Sequence, residues 1–262
     1  MPLRRLILPD GGVVDLLPGE VPPLSWQGPA PGGPVLTLDA ALLRVVAARA
    51  LAAGRGGQAA VGVAAAQHGE GTTTVARGLA ACLTQHFGKR VVLVEANERS
   101  PCLRQIYRLV DGPGLSDVLG RRVSLGGALQ MAGEDRRMLI LPASLPNGVY
   151  GQGGHVPGLV AAHPAGQTGP ASHGLVLRDL VAALLGHADT VVIDLAPVLP
   201  YRDSPLLGPA MDGVALVLRG GQASRAEAAQ AVQAMRDGGA PVLGAVLNRY
   251  RSPVPRFLKR IL

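Results

Sequence analysis

Short apolar runs rich in Val, Leu and Ala recur at Val61 to Ala66, Arg90 to Glu95, Met138 to Leu141, Thr190 to Asp194, Val214 to Leu218 and Val242 to Leu247. They carry no polar partner at alternate positions, so they read as strands covered on both faces. Amphipathic helical patterns lie between them, at Leu38 to Ala53, Thr74 to His86, Leu175 to Leu185 and Ala223 to Arg236. Shorter helical patterns cover Gly114 to Gly120 and Ser124 to Met131. In the Thr74 helix the apolar stripe is Val75, Leu79, Cys82 and Leu83. Strands alternating with helices predict an α/β fold, a mostly parallel sheet with helices on both faces.

The flanks read differently. Residues 1–37 are rich in Pro and Gly and predict an extended leader ahead of one domain at 38–250. A loose insert is expected at 144–173, and 251–262 form a separate tail. His155, His163 and His173 lie in the insert without the compact spacing of metal ligands, and read as solvated.

The chemistry is concentrated after the first buried strand. Gln67-His68-Gly69-Glu70-Gly71-Thr72-Thr73-Thr74 joins it to a helix. Strand, Gly-rich turn and helix is the context of a phosphate loop: glycines let backbone N–H groups close on an anion, and the helix N-terminus adds partial positive charge. Ala66 stands for the first Gly of the G-x-x-x-x-G-K-[ST] pattern, and Thr72 stands for its Lys. The only lysines are Lys89 and Lys259, far from the loop in sequence. One charge-assisted hydrogen bond contributes roughly 1.5–3 kcal/mol, about 10- to 100-fold in affinity. Binding survives such a loss better than phosphoryl transfer does.

Ligands of a parallel sheet sit beyond the carboxyl ends of its strands. Glu95, Asn97 and Asp194 fall there. Asp194 after Val-Val-Ile has the form of a Walker B acid, which with Thr73 would hold Mg²⁺. Glu95 and Asp194 are the candidate catalytic acids.

Composition narrows the class. The 262 residues suit one large domain, and 48% hydrophobic residues with 3% aromatics predict a core of Leu, Val and Ala. No apolar run is long enough to cross a bilayer, and no signal-peptide pattern is present. Cys82 and Cys102 read as free thiols of a reducing compartment. The net charge of +7 comes mostly from Arg on a solvated surface, and no nucleic-acid recognition motif accompanies it. The tail is the exception. Phe257, Leu258, Ile261 and Leu262 share a helical face beside Lys259 and Arg260, the pattern of an interfacial membrane helix or of a last turn docked on the core.

Taken in order, these residues resemble the bacterial tyrosine autokinases of capsule and exopolysaccharide assembly, within the MinD/ParA class of P-loop proteins. The resemblance runs from about Leu38 to Asn248. It rests on Gly69-Glu70-Gly71-Thr72-Thr73-Thr74, on Glu95, Asn97 and Arg99 at an Asp-x-Asp-x-Arg strand end, and on Gly114 to Leu119 as an intact Gly-Leu-Ser-Asp-Val-Leu. Ile193-Asp194-Leu195-Ala196-Pro197, Asp212-Gly213-Val214 and Gly244 to Arg249 complete it. It implies a single P-loop NTPase-like domain that binds ATP or ADP with Mg through Gly69, Glu70, Gly71, Thr72, Thr73, Thr74 and Asn248, the last near the adenine. It also implies an inner-membrane polysaccharide co-polymerase or synthase partner, homo- or hetero-oligomers, and a place at the cytoplasmic face of the membrane.

The departures fall on the chemistry. The loop Lys and both strand-end Asp residues are replaced. The family's terminal tyrosine cluster is absent, with Tyr250 the one tyrosine near the end. Asp39, Arg44 and Arg49 are not spaced as the family's ring-forming Glu-x-x-Arg-x-x-Arg. The upstream Lys of MinD/ParA proteins falls at Gln67. The expectation is a degenerate, autokinase-like scaffold or regulator. The alternatives are an active autokinase or ATPase, with Arg77 or Arg99 replacing the Lys, and a MinD/ParA-like positioning protein bound to membrane through residues 257–262.

Overall fold

The computed structural model describes residues 4–7, 13–16, 24–26, 36–38, 40–132, 137–144, 170–201 and 203–249. For the strands before residue 40, for residues 40 and 170–176, and for residue 203, it describes the backbone alone. The elements are β1 (Arg4–Ile7), β2 (Val13–Leu16), β3 (Leu24–Trp26), β4 (Leu36–Leu38), α1 (Ala40–Ala53), β5 (Ala59–Ala65), α2 (Thr72–Phe87), β6 (Val91–Glu95), α3 (Leu103–Tyr107), α4 (Leu115–Leu119) and α5 (Leu125–Ala128). They continue with β7 (Gln130–Met131), β8 (Met138–Leu141), α6 (Pro170–Leu185), β9 (Thr190–Asp194), α7 (Asp203–Leu206), a 3₁₀ turn (Gly208–Ala210), β10 (Gly213–Arg219), α8 (Arg225–Asp237) and β11 (Val242–Asn248).

Nine strands form one sheet in the order β2-β1-β11-β10-β5-β9-β6-β8-β7. The six from β11 to β8 are mutually parallel. Both faces are covered, as the uninterrupted apolar runs predict. In β5, Val61 and Val63 pack with Leu42, Leu43, Val46, Leu79 and Leu83 of α1 and α2. Ala60 and Ala64 belong to the opposite cluster, with Leu177, Leu180, Val181 and Leu184 of α6 and Met235 of α8. A period of two thus sends alternate residues into two cores.

The edges hold what the apolar pattern missed. β1 pairs antiparallel with β11, Leu6 opposite Val246, and β2 pairs with β1. Residues read as a leader therefore extend the sheet. Pro9-Asp10-Gly11-Gly12 between the apolar stretches Leu6-Ile7-Leu8 and Val13-Val14 was the available turn signal. At the other edge, the helix expected over Ser124 to Met131 stops at Ala128, and Gln130 pairs with Ile140 of β8. Gly126 and Gly127 weaken that helix by roughly 1 kcal/mol each relative to Ala. α6 starts at Pro170, inside the stretch read as loose, and includes His173. Residues 145–169, with His155 and His163, and residues 250–262, with the basic tail, lie outside the described residues.

Candidate functional site: a phosphate loop without its lysine

β5, β9 and β6 lie side by side, so the loops after them meet at the carboxyl edge of the sheet. The segment after β9 is zipped to the end of β5: Val198 N donates to Ala65 O at 2.8 Å and Leu199 N to Ala66 O at 3.1 Å. Ala96 N, after β6, donates to Asp194 O at 2.9 Å.

The phosphate loop is built as its glycines require. Gly69 has φ +75° and Gly71 has φ +95°, both left-handed. A Cβ on Gly71 would stand 2.3 Å from Asn248 Nδ2. α2 begins immediately, with Val75 N donating to Gly71 O at 3.1 Å. Two of the side chains named as nucleotide contacts, Glu70 and Asn248, brace the loop. The buried Glu70 accepts from Gln67 N at 2.8 Å and from Arg219 N at 3.0 Å. Asn248 donates through Nδ2 to Glu70 O at 2.8 Å, and its Oδ1 accepts from Arg249 N at 3.0 Å. Gln67, at the place of the upstream Lys, donates to Glu227 at 3.1 Å, within the capping box of α8.

Thr72, in the Lys position, is buried with 8% exposure. Thr73 is half-buried and Thr74 partly exposed on the same first turn. Asp194 ends β9 with 1% exposure, and neither carboxylate oxygen has a partner at direct hydrogen-bond geometry. Burial pushes its pKa up to about 7. The neighbouring Thr73 hydroxyl and the Arg77 charge pull down, and the Glu95 charge pushes further up. Cys102 sits in the same cluster, its thiol pushed up to about 11 by burial, then by Glu95 and Asp194. Arg77, one turn inside α2, is itself buried, with its guanidinium carbon 5.3 Å from the Tyr107 ring centre.

Glu95, the other candidate acid, is engaged by backbone. One oxygen accepts from Cys102 N at 2.5 Å and Leu103 N at 2.8 Å, the other from Ala143 N at 3.0 Å. It caps α3 from the end of β6 and ties Ala143, just after β8, to the site. This explains why α3 was not legible locally: its cap lies outside its own sequence. The Gly-Leu-Ser-Asp-Val-Leu motif is a bracket beside it. Asp117 accepts from Gly114 N at 2.9 Å, Ser144 Oγ at 2.8 Å and Arg122 Nε at 3.0 Å. Ser116 Oγ donates to Glu98, contacting its carboxylate oxygens at 2.5 and 2.7 Å.

At the mouth of the loop His68 meets Tyr201 edge to face, ring centres 5.2 Å apart. The Arg99 guanidinium carbon lies 4.1 Å from the centre of the same Tyr201 ring. This trio spans the loops after β5, β9 and β6, and sequence gives no sign of it because its members are more than 130 positions apart end to end. The described residues contain no cluster of three metal-ligating side chains. An orphaned, buried Asp194 beside Thr73 over a glycine cradle nevertheless fits a hydrated Mg²⁺ on a nucleotide: Thr73 and Asp194 would hold it, and it would neutralise phosphate charge.

The parallel sheet, the glycine loop opening α2 and the strand-end Asp194 define a P-loop NTPase-like domain. No protein-family model matches the chain. Its relatives include bacterial tyrosine-protein kinases: it is 27% identical over 180 residues to tyrosine-protein kinase YwqD of Bacillus subtilis, covering 69% of this chain and 68% of YwqD. It is 22% identical over 200 residues to tyrosine-protein kinase CpsD of Streptococcus agalactiae, covering 74% and 77%. It is 26% identical over 189 residues to the succinoglycan biosynthesis transport protein ExoP of Rhizobium meliloti, matching 22% of that longer protein. Among solved structures, the kinase domain of Escherichia coli ETK superposes with TM-score 0.63 at 21% identity, covering 84% of this chain and 79% of that one. MinD of Pyrococcus horikoshii, solved with Mg-ADP, superposes with TM-score 0.56 at 20% identity, covering 78% and 76%.

Proposed function

We propose that this chain is a degenerate autokinase-like protein that binds nucleotide and works as a scaffold or regulator of exopolysaccharide synthesis and export, rather than as a tyrosine kinase. One observation carries the reading: the loop is braced in the geometry of a phosphate cradle, yet the Lys position holds Thr72, turned into the protein. Binding uses the backbone amides of Gly69 to Thr73 and the α2 terminus, which the chain keeps. Transfer needs charge aimed at the moving phosphoryl group, which the loop lacks. Glu95 adds to this, since both its oxygens accept backbone amides.

The likeness to a succinoglycan biosynthesis transport protein supports a partner among the inner-membrane co-polymerases or synthases; in this reading the domain works on the cytoplasmic face, in a homo- or hetero-oligomer. No helix among the described residues is long and apolar enough to cross a membrane. Contact with lipid falls to residues 257–262, and liposome flotation with and without 255–262 tests it.

A second reading, an active ATPase or autokinase, is favoured by the unpartnered carboxylate of Asp194. Phosphotyrosine mass spectrometry after incubation with Mg-ATP separates the two. The chain has four tyrosines, Tyr107, Tyr150, Tyr201 and Tyr250. No modification is expected. Phosphate on any of them that disappears in Asp194→Asn refutes the scaffold reading.

A further inference from the structure

Thr72 leaves the phosphate loop without a cation, and the sequence offers Arg77 and Arg99 as replacements. The geometry separates them. Arg77 lies inside α2 with 7% exposure, against the Tyr107 ring, and its charge acts on Asp194 and Cys102 beneath the loop. Arg99 lies at the mouth. Its neighbour Glu98 is tied inward to Ser116, and Ser100 N closes the turn onto Asn97 O at 3.3 Å. The turn therefore holds Arg99 outward, exposed, with its guanidinium on the Tyr201 ring. Tyr201 is in turn fixed to the loop through His68 and through the zipper of Val198 and Leu199 on β5.

Resting on the nucleotide-binding reading above, we propose that Arg99, parked on Tyr201, is the cation that meets the terminal phosphates of a bound nucleoside di- or triphosphate. A guanidinium is suited to this: it stacks on an aromatic ring through its face, and its planar fork of N–H donors matches two phosphate oxygens. Stacking also restricts the side chain before the ligand arrives, which lowers the ordering cost of binding. Tyr201 acts as the positioning residue, and Arg99 as the contact.

The test is titration calorimetry with Mg-ATP, Mg-ADP and AMP on the full chain, on Arg99→Gln, on Arg99→Gln with Thr72→Lys, and on Arg236→Gln as an equal change in net charge at the exposed end of α8. Circular dichroism checks the fold of each. The native chain is expected to bind Mg-ATP, and Arg99→Gln to weaken it about 10- to 100-fold with a shallower salt dependence. AMP affinity and Arg236→Gln are expected to be unchanged, and Thr72→Lys to restore the Arg99→Gln protein. Tyr201→Phe should match the native chain, while Tyr201→Ala loses about two- to five-fold. Native Mg-ATP affinity in Arg99→Gln overturns the proposal and leaves nucleotide binding intact. Binding by Thr72→Lys but by no form with Thr72 overturns both this proposal and the nucleotide-binding part of the functional reading.

Discussion

Asp194→Asn tests the electrostatics of the site without reference to activity. In the folded chain the Asp194 carboxyl is buried, and its pKa is raised from 3.8 to about 7. Desolvation is the largest cause; Thr73 and Arg77 offset only part of it. The folded state therefore holds the proton more tightly than the unfolded chain. The contribution of this carboxyl to stability is most favourable below about pH 4, falls as pH rises toward 7, and is flat above, where both states are ionised. A displacement of about three units corresponds to about 4 kcal/mol at most, at 1.36 kcal/mol per unit. Asn keeps the shape and removes the charge. At pH 4 the variant should match the native chain, and at pH 8 it should be more stable by up to about 4 kcal/mol. For a domain of this size that is roughly 8–16 °C in melting temperature. The assay is thermal unfolding by circular dichroism at pH 4, 6 and 8, with and without Mg²⁺. Mg²⁺ added with ADP should raise the native melting temperature at pH 8 more than that of Asp194→Asn, because the carboxylate is one of the two side chains that would hold the ion. A difference between the two proteins that does not change with pH would refute the reasoning, as would destabilisation by Asn at pH 8.

Three further outcomes follow from the geometry around the loop. Glu95→Gln replaces a carboxylate that accepts three backbone amides with a group that must present N–H₂ to some of them, so a loss of about 3 kcal/mol in urea unfolding is expected. An unchanged urea midpoint would mean those bonds do not hold α3 in place. Gly71→Ala meets both a φ of +95° and Asn248 Nδ2, and should cost about 2 kcal/mol. Adding Asn248→Ala should return the steric part and not the backbone part, measured by thermal unfolding. Cys102, with its thiol at about 11, should react with iodoacetamide at pH 8 roughly 200-fold more slowly than an ordinary thiol, the rate still rising above pH 9. Mass spectrometry across a pH series reads this, and saturation by pH 9 would contradict a half-buried thiol beside two carboxylates.

The sequence by itself determined the central parallel strands, though not the edges of the sheet. Short apolar runs without alternation, bounded by turn residues, read as strands buried on two faces, and β5, β6, β8, β9, β10 and β11 are where those runs lie. The glycines at 69 and 71 were legible because positive φ is a local property, and the missing Lys was legible because the loop motif is contiguous. What the chain places far apart in sequence, only the tertiary structure decided. Glu95 was readable as a strand-end acid but not as the cap of α3 and the anchor of Ala143, because the latter contact is set by the parallel pairing of β6 with β8. Asn248 could be aligned with a base-contacting position, yet its amide closes on Glu70 O because β11 ends beside the loop. The elevated pKa of Asp194 depends on its burial at the end of β9 and on the nearby Glu95 charge, which no residue type encodes alone. Arg99, Tyr201 and His68 come together only because β5, β9 and β6 are adjacent in the sheet, an order that loop closure and packing select and that periodicity along the chain does not carry.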